Sequence, residues 1–590
     1  MNRRTGIPTA AGAALLLGAA ALCIHPVAPQ RVAAPAALKS TPIGRKIDDV
    51  IIHDLFGKPH TLSEWADSKF LVVAFLGTDC PLSKLYGPRL DELAREFGSR
   101  GVAFVGVNPN AQDSLADLAA FVRLHKIAFP LFKDINGAAA ERMGAVRTPE
   151  VFVLDADRVV RYWGRVDDQY GVGARRPTPI RRHLAEALVE LLDDKLVSLP
   201  AVPSVGCRIG RLPPQKSSGD VTYANQISRL LQRRCVECHR AGEAGPFPLT
   251  DYRNAADWSA MIGEVVADDR MPPWFADPRH GRFRNDARLT PEEKSLLFRW
   301  IDDGCPEGGP AAQPAPLAAS DGWRIPMPDQ IIYMADQPYE VPADDDVPYQ
   351  YFKVDPGFTE DKYVQAAEVR PGDAAVVHHA LVMIVPPGEG VAPDSAGALL
   401  DYAPGMAPTA LPPGAALRVA AGSKFLFQMH YTPNGSHHRD RTSLALAFAD
   451  PKTVKISVRG GAVFNTQINI PAGARDYSLT AEYTAPQDIM VLNLSPHLHL
   501  RGKSFRFEAI YPDGGRETLL DVPRWDFNWQ LRYDLAQPAR LPKGTRLVCT
   551  AHWDNSADNP NNPDPMRQVR WGDRTDDEMM IGFFAYSLLN

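Results

Sequence analysis

The pattern of apolar residues changes at residues 311–320, AAQPAPLAAS, and this change constrains the fold more than any other feature of the chain. Before this segment, apolar runs alternate with amphipathic helical stretches, which is typical of a layered α/β domain. After it, short runs rich in Val, Tyr, Phe and Ile are broken by Pro-Gly, Asn-Gly and Asp-Gly, which favours all-β structure. The 590 residues are too many for one hydrophobic core, so we predict a multidomain protein.

The predicted architecture has four folded parts: an α/β domain, a small all-α domain and two all-β sandwiches that meet near residue 451. Two sandwiches are expected because about 260 residues follow the linker, more than one sandwich usually needs. The predicted boundaries, with the leader and the linker included, are residues 1–35, 41–200, 221–310, 311–324, 325–450 and 451–590.

The first 35 residues have the arrangement of a signal peptide, because two arginines precede a short apolar stretch of Ala, Leu and Gly. An uncleaved anchor is the alternative. No later stretch approaches ~18 consecutive apolar residues, so we expect an exported protein of the periplasm or cell envelope, with no membrane span in the mature chain. The net charge of −6 and the lack of a sustained Lys/Arg-rich stripe predict no nucleic-acid partner.

A cysteine stands between the first strong strand and the first helix of the α/β region, in GTDCPLSK. The helix dipole stabilises a thiolate at a helix N-terminus, so Cys80 is a candidate redox thiol. This region is similar to the thioredoxin-like redoxins, in which Thr78, Cys80 and Pro149 match motif positions. The resemblance implies a thioredoxin-like fold with Pro149 as a cis-proline that faces the thiol.

The redoxin motif is incomplete in this chain. Ser83 occupies the position of the family's second cysteine, so a dithiol cycle within the motif is lost. Peroxiredoxins keep a threonine three residues before their cysteine, whereas Thr78 lies two residues before Cys80. Three alternatives follow: a monothiol function, a partnership with a distant cysteine such as Cys207, or a catalytic fold retained for binding, which we favour.

The segment CVECH contains the C-x-x-C-H pattern of covalent haem attachment, with Cys235, Cys238 and His239. Two thioether bonds hold the porphyrin, and the histidine that follows is placed as the proximal iron ligand. Half of a zinc site is the alternative, but no second Cys or His pair at zinc spacing follows. Residues 221–310 resemble the c-type cytochromes, and Met271 lies in the Met-Pro-Pro context of the sixth ligand. The resemblance implies a covalently attached haem c with His/Met ligation.

Five histidines lie in apolar, strand-like stretches of the C-terminal half: His378, His379, His430, His497 and His499. Alternate side chains of a strand point to the same face, so both rings of a His-x-His pair can reach one metal ion. Adjacent histidines face opposite ways, so the strand must end, bulge or twist if His378 and His379 share an ion. An imidazole buried without a partner costs a few kcal/mol, and metal ligation removes that cost.

The motifs HHAL, QMHY, HLHLRG and DDEMM occur between residues 325 and 590 in the order found in the copper type II, ascorbate-dependent monooxygenases. In that family, two jelly-roll-like domains each hold one copper ion across an open cleft. The resemblance implies an electron-supplying copper ion bound by His378, His379 and His430, and an oxygen-activating copper ion bound by His497, His499 and Met579. Met580 is the rival of Met579 for the last position.

Two positions differ from the peptide-amidating branch of that family, which keeps an arginine and a tyrosine to hold a carboxylate. This chain has Ser495 and Phe583 there. A peptide with a C-terminal glycine is therefore a poor candidate substrate.

Together the motifs predict an exported copper- and haem-dependent oxidoreductase. The leading hypothesis is a monooxygenase that hydroxylates a C–H bond of a small organic substrate with O₂ and receives electrons through haem c, with an external electron donor as a further partner. One alternative is an envelope electron-transfer or copper-binding protein without turnover. The other is a thiol redoxin or peroxidase that acts through Cys80.

Overall fold

The computed structural model of the protein describes residues 41–171, 174–176, 178–211, 220–241, 243–309, 314–315, 323–343, 347–388, 397–434 and 436–589. The predicted leader and most of the predicted linker lie outside the described residues. The described residues from Pro42 onward belong to one unit. Among the helices of the described ranges, none combines the length and the apolar character that crossing a membrane requires.

The N-terminal domain alternates strands with helices, and the predicted α/β class is confirmed. Its strands are β1 (Ile51–His53), β2 (Pro59–Thr61), β3 (Phe70–Phe75), β4 (Val102–Asn108), β5 (Leu131–Lys133), β6 (Arg147–Thr148), β7 (Glu150–Asp155), β8 (Val160–Gly164), β9 (Tyr170–Gly171), β10 (Ala174–Arg175), β11 (Ala201–Val202) and β12 (Cys207–Arg208). Its helices are α1 (Pro81–Gly98), α2 (Leu115–Leu124), α3 (Ala138–Met143) and α4 (His183–Leu192).

The central sheet of this domain has eight strands in the order β11-β8-β7-β3-β4-β5-β1-β2. Strands β3, β4 and β5 are parallel, whereas β7 runs antiparallel to β3. The run FLVVAF forms β3, and five of its six side chains are buried, as expected for a strand covered on both faces. Residues 76–80 connect the end of this strand to the start of α1.

Four helices follow the α/β domain: α5 (Ser228–Arg234), α6 (Tyr252–Asp257), α7 (Ser259–Ala267) and α8 (Pro291–Asp302). A π-helical turn, Tyr223–Ile227, precedes α5. Helix α8 begins where the side chain of Thr290 accepts a hydrogen bond from the Glu293 amide, with a proline in the first turn. Trp258 and Trp300 are buried in a core that is continuous with the core of the α/β domain.

The remaining chain is β structure, as predicted. Its first half contains β13 (Gln330–Tyr333), β14 (Tyr339–Val341), β15 (Gln350–Val354), β16 (Lys362–Arg370), β17 (Val377–Val385), β18 (Gly397–Tyr402), β19 (Thr409–Ala410), β20 (Ala415–Val419), β21 (Lys424–Tyr431), β22 (His438–Asp440) and β23 (Ser443–Phe448). Its second half contains β24 (Ile456–Phe464), β25 (Asn469–Ile470), β26 (Tyr477–Thr484), β27 (Ile489–His497), β28 (Gly502–Ile510), β29 (Arg516–Val522), β30 (Tyr533–Leu541), β31 (Arg546–Trp553), β32 (Val569–Arg570) and β33 (Ile581–Leu588).

One sheet runs through both β halves. Its path is β13-β23-β16-β20-β24-β33-β27-β30, and the parallel pair β20–β24 joins the halves. The first half adds the sheet β15-β21-β17-β18, and the second adds β26-β31-β28-β29. The chain passes between the halves at the 3₁₀ turn Pro451–Thr453. The shared sheet fixes the relative position of the two halves.

The helical region packs against the second β half. The ring of Trp274 lies 4.8 Å from that of Tyr533 and 5.8 Å from that of Phe283. The amide of Asp277 donates to the carbonyl of Asp521 at 2.8 Å. The segment that follows α7 is therefore part of the core of the second β half.

Candidate functional site

The predicted redox thiol lies where β3 gives way to α1. Cys80 is the N-cap residue of α1, and Pro81 occupies the first turn. The sulfur is 0% exposed, and its thiol donates to the carbonyl of Thr148 at 2.9 Å. The Thr148–Pro149 peptide bond is cis, so the cis-proline implied by the resemblance is confirmed.

A second cysteine meets the first from another part of the chain. Strand β12 pairs with β6 in antiparallel register, which places Cys207 opposite Thr148. Cys207 thereby lies beside Cys80, and the interaction between the two thiols shifts the pKa of each. Sequence analysis left this partnership as one of three alternatives, because nothing local to Cys207 marks it.

The two thiols have opposite acidities. Burial opposes the ionisation of Cys80, but hydrogen bonds from Cys207 and Ser83 lower its pKa to about 6. The hydrogen bond to Cys80, together with burial, raises the pKa of Cys207 well above its usual value. Cys80 therefore ionises first and accepts a hydrogen bond from the Cys207 thiol.

A buried polar network supports the loop that carries the thiol. The carboxylate of Asp113 accepts hydrogen bonds from the amide of Thr78 at 2.9 Å and from the side chains of Asn108 and Asn110. Lys133 donates to the side-chain oxygen of Asn108 at 2.8 Å. The sequence pattern does not single out these residues, although the segment VNPN at the end of a buried strand is a signal for them.

The C-x-x-C-H segment follows α5 directly. Cys235 is the C-cap residue of α5, and both Cys235 and Cys238 are free thiols. The Nδ1–H of His239 donates to the carbonyl of Phe247 at 3.0 Å, which leaves Nε2 as the free ligand atom. The ring of Phe247 stacks on Trp258 at 3.9 Å. These residues fit a haem c, since an oriented imidazole follows two available thiols.

The predicted sixth ligand lies in the loop after α7. The amide of Met271 donates to the carbonyl of Val265 at 3.1 Å, and the Met271–Pro272 peptide bond is cis. The haem assignment of Cys235, Cys238, His239 and Met271 stays a prediction.

Three of the five predicted histidines form one buried cluster. His378 and His379 lie on β17, and His430 lies on the neighbouring strand β21. A bulge separates Val377 from His379, so the irregularity that a shared metal ion requires is present. The Nδ1 atom of His379 lies 3.2 Å from that of His378 and 3.4 Å from that of His430.

The electrostatics of this cluster suit a metal ion. One ring nitrogen from each histidine can be chosen so that the three lie within 4.8 Å of one another. Burial lowers the pKa of His378 to about 4, and burial together with the neighbouring histidines holds the pKa values of His379 and His430 well below the ordinary value. The rings are therefore neutral at pH 7 and have lone pairs to donate. The Nε2 atoms of His378 and His379 are buried without a hydrogen-bond partner.

The His-x-His pair forms a second group at the end of β27. The Nδ1–H of His497 donates to the side-chain carbonyl of Gln530 at 2.5 Å, and that of His499 donates to the backbone carbonyl of Asp577 at 3.3 Å. Each ring therefore carries its lone pair on Nε2. Their centroids are 5.3 Å apart. Burial lowers the pKa of His497 to about 4 and that of His499 to about 3.

A buried carboxylate ties the predicted methionine ligand to this pair. Glu578, which precedes Met579, accepts hydrogen bonds from the amide of His499 at 2.9 Å and from that of Arg501 at 2.6 Å. Met579 and Met580 are both buried, but only Met580 belongs to the apolar core of this half. This arrangement favours Met579 as the ligand. The role of Glu578 was not foreseen from the sequence.

The two histidine groups adjoin each other. The ring centroids of His379 and His497 are 6.0 Å apart. The phenol of Tyr349 bridges the groups, because its oxygen lies 3.3 Å from Nε2 of His499 and its ring lies 5.0 Å from that of His430. The resemblance implied an open cleft between two copper ions, and among the described residues the two groups are in ring contact beside a small cavity that His379 and His497 line. The sequence pattern does not single out Tyr349.

The comparisons with known proteins concern the redoxin part of the chain. Residues 43–163 match the model of the AhpC/TSA family. No curated protein matches the chain. Because the family match ends at residue 163, the haem and copper assignments stay predictions.

Solved structures similar to the chain cover between a fifth and a third of it. A hypothetical protein from Sinorhizobium meliloti 1021 is 32% identical, with 29% of this chain and 94% of that chain covered and a TM-score of 0.27. The peroxidoxin BcpB from Mycobacterium tuberculosis is 23% identical, with 25% and 95% covered and a TM-score of 0.21. A secreted disulfide oxidoreductase of Mycobacterium tuberculosis, homologous to DsbE of E. coli, is 22% identical, with 19% and 79% covered and a TM-score of 0.17.

The geometry around Cys80 agrees with the match of residues 43–163 to the AhpC/TSA family. The strand order, the cis-proline and the helix-capping cysteine all lie within or beside the matched residues. Residues 43–163 are therefore a thioredoxin-like redoxin domain of the AhpC/TSA family, and this domain supports a redox role for the chain.

Proposed function

We propose that the chain is a thiol oxidoreductase that acts through Cys80. The observation that carries this proposal is the position of Cys80 at the N-cap of α1, within the domain that matches the AhpC/TSA family. A thiolate there is stabilised by the helix dipole and by hydrogen bonds, and it is the nucleophile of thiol chemistry. The pKa of about 6 keeps most of Cys80 ionised at pH 7.

Thiol–disulfide exchange fits the site better than peroxide reduction. The residue three positions before Cys80 is Gly77, where peroxiredoxins keep a threonine. In the proposed step, the thiolate attacks a small disulfide RSSR, the S–S bond breaks, and one RS⁻ leaves while Cys80–S–SR forms. Because the sulfur is fully buried, a small reactant and a local opening of the covering segment are required.

The test is reaction of the full chain with glutathione disulfide at pH 5 to 9, followed by mass spectrometry of the peptide that contains Cys80. We expect an adduct or a disulfide at Cys80 whose rate of formation rises with pH around 6. Cys80→Ser should abolish it, whereas Cys305→Ser, which removes a buried cysteine of the helical region, should not. A Cys80 that stays unmodified in native protein and reacts only after unfolding would refute the proposal.

A second function, O₂-dependent hydroxylation at a copper centre, is favoured by the buried histidine groups. The observation that carries it is the convergence of five neutral imidazoles, two of which have a buried nitrogen without a hydrogen-bond partner. His378, His379 and His430 would hold one copper ion, and His497, His499 and Met579 the other. Bound copper would supply one-electron chemistry and O₂ activation. The residues of the chain orient the rings and exclude water.

The helical region is tied to the copper region at the haem-binding segment. Arg324 donates to the carboxylate of Glu237, which lies between the two haem cysteines, at 2.5 Å. The same guanidinium contacts Glu368 on β16 and the carbonyl of Met406. These contacts support the proposal that haem c passes electrons to the copper centre. An exported location agrees with it, since haem c is attached outside the cytoplasm.

The walls of the nearby cavity argue against an anionic substrate. A cavity of about 60 Å³ between the β halves is lined by Ser495, Phe583 and Arg532, among others. Arg532 is bound by Asp534 at 3.1 Å, by Asp401 at 3.4 Å and by two backbone carbonyls. No cation is left among these lining residues to hold a carboxylate. A small, uncharged organic molecule is the proposed substrate of this second function.

Metal and haem analysis of the exported protein tests the second function. We expect two copper ions and one haem c per chain, and fast oxidation of anaerobically reduced haem when O₂ is added. His499→Ala should slow that oxidation strongly, whereas His552→Ala, which alters a histidine paired with Asp476 at the surface, should not. Equal rates in both variants would refute the electron route.

A further inference from the structure

We infer that Cys207 is the redox partner of Cys80 and that the two close a reversible disulfide. This inference rests on the proposed thiol function and assigns a second catalytic cysteine to it. Cys207 lies outside residues 43–163, the part of the chain that matches the redoxin family. We assign to Cys207 the role of the motif's second cysteine, because Ser83 occupies that cysteine's position in this chain.

The backbone places the two sulfurs together. The Cys80 thiol donates to the carbonyl of Thr148, and Cys207 lies opposite the same residue in the β6–β12 pair. Thr148 thus contacts Cys80 and pairs with Cys207, and each thiol shifts the pKa of the other. Both sulfurs are free in this structure, which therefore represents the dithiol form.

The residue before Cys207 is required for this close approach. Gly206 has φ +150°, and a Cβ there would lie 2.1 Å from the carbonyl oxygen of Thr148. Any side chain at this position would push β12 away from β6 and separate the sulfurs.

Charged groups hold the same strand in place. Arg147 donates to the carbonyl of Gly206 at 2.9 Å and forms an ion pair with Glu264 of α7 at 2.9 Å. Arg208, which follows Cys207, contacts the same carboxylate at 3.5 Å. Contacts from α7 thus hold β12 against the loop that carries Cys80.

The chemistry of the cycle balances with a small disulfide as the oxidant. The Cys80 thiolate attacks RSSR, forms Cys80–S–SR and releases RS⁻. Cys207 then loses its proton to RS⁻ and attacks the Cys80 sulfur, which breaks the mixed disulfide and releases the second thiolate. The second RS⁻ takes up a proton from solvent, which balances the proton that Cys80 lost to solvent on ionising. The sum converts two cysteine thiols and RSSR into one disulfide and two RSH. The reverse reaction with RSH restores the dithiol.

The order of attack follows from the surroundings of each sulfur. Cys80 ionises first because Cys207 donates a hydrogen bond to it. The hydrogen bond to Cys80 is the largest cause that keeps Cys207 protonated. Once Cys80 carries SR, its negative charge is gone, and Cys207 can ionise and complete the exchange.

The experiment equilibrates the full-length haem-loaded protein in glutathione buffers of graded potential, traps free thiols with an alkylating agent and maps the peptides. We expect one peptide pair linked through Cys80 and Cys207, with no lasting glutathione adduct. Cys207→Ser should leave Cys80 joined to glutathione, whereas Cys549→Ser should behave as wild type. Peptide mapping of the wild type needs no variant, so the test remains decisive if a variant does not fold.

The outcomes distinguish the proposed Cys80–Cys207 partnership from the proposed thiol function of Cys80. If Cys80 reacts but keeps its glutathione while Cys207 is alkylated, the partnership is wrong and the monothiol function stands. If native Cys80 never reacts with glutathione disulfide, the proposed thiol function itself fails. A link between Cys80 and any cysteine other than Cys207 would also overturn the inference.

Discussion

At the scale of single residues, the chemistry depends on what each side chain touches. Cys80 is acidic because Cys207 and Ser83 donate hydrogen bonds to it, although burial alone would raise its pKa. His497 and His499 carry their lone pair on Nε2 because carbonyl oxygens accept hydrogen bonds from their Nδ1–H groups. At Cys80 and at the histidine pair, a residue distant in sequence decides which protonation state the side chain adopts.

The first prediction concerns the ionisation of Cys80. Its folded pKa of about 6 lies below the ordinary value of 9.0, so its contribution to stability is lost as pH falls through 6. We expect Cys207→Ala to raise this pKa, because that substitution removes the thiol that donates a hydrogen bond to the thiolate. The measurement is the rate of iodoacetamide modification of Cys80 against pH, read from its peptide.

Cys305→Ser is the control for that experiment and should leave the pH profile unchanged. An unchanged profile in Cys207→Ala would contradict the hydrogen bond between the two thiols.

At the scale of elements, strand register brings the candidate residues into place. The bulge on β17 turns His378 and His379 toward His430 on β21, although adjacent side chains normally alternate. The pairing of β12 with β6 does the same for Cys207. Local pattern places a residue on a strand, and the register decides which residue it meets.

The second prediction concerns the β6–β12 pair. Gly206→Ala should displace β12, because the added Cβ would lie 2.1 Å from a backbone oxygen. We expect the formation of the Cys80–Cys207 disulfide to slow at least tenfold in a glutathione buffer. Gly309→Ala is the matched control, since a Cβ there has no atom within 4 Å. Unchanged disulfide kinetics in Gly206→Ala would argue against the required close approach.

The third prediction concerns the link between the β27–β28 loop and the start of β33. Glu578→Ala removes the acceptor for the amides of His499 and Arg501 and for the indole of Trp553. A buried donor left unsatisfied costs ~1–3 kcal/mol, so we expect a loss of at least ~3 kcal/mol in the free energy of unfolding.

Glu482→Ala is the comparison for that loss, because this carboxylate forms a surface ion pair with Arg546. Exposed pairs contribute ~0–1 kcal/mol, so this variant should unfold close to wild type in urea. Similar losses in both variants would show that Glu578 does not anchor the loop.

At the scale of the whole molecule, one sheet and a set of aromatic ring contacts unite the candidate copper ligands. The nine-stranded sheet crosses from the first β half to the second through β20 and β24. Tyr349 and the ring contact between His379 and His497 then join the two histidine groups. The helical region is attached to both halves, through Arg324 on one side and Trp274 on the other. The proposed haem and copper centres thus belong to one unit.

The fourth prediction concerns metal binding and thermal stability. A ligand that binds only the folded state stabilises it by RT ln(1 + [L]/Kd), so copper added to metal-free protein should raise Tm. We expect this increase to shrink in His430→Ala, which removes a donor from the first group. His438→Ala alters a histidine of the same half that is paired with Asp373 and should keep the full increase. Equal increases in both variants would exclude a copper site at His430.

Sequence alone was sufficient for features that depend on neighbours along the chain. The C-x-x-C-H segment, the capping position of Cys80 and the strands that carry four of the five histidines are all short-range patterns, whereas His499 lies beyond the end of β27. Their periodicity and spacing also predicted the α/β domain and the β-rich C-terminal half. The cis-proline followed from a family motif rather than from periodicity.

Tertiary structure decided the contacts that join distant residues. The pairing of Cys80 with Cys207, the anchoring role of Glu578 and the position of Tyr349 between the histidine groups have no local signature. The first depends on the register of β6 and β12, because a slip of one residue would turn Cys207 to the opposite face. The other two depend on packing between distant segments of the chain. The amino-acid sequence thus determined which reactive groups the protein has, and the folded chain decided which of them meet.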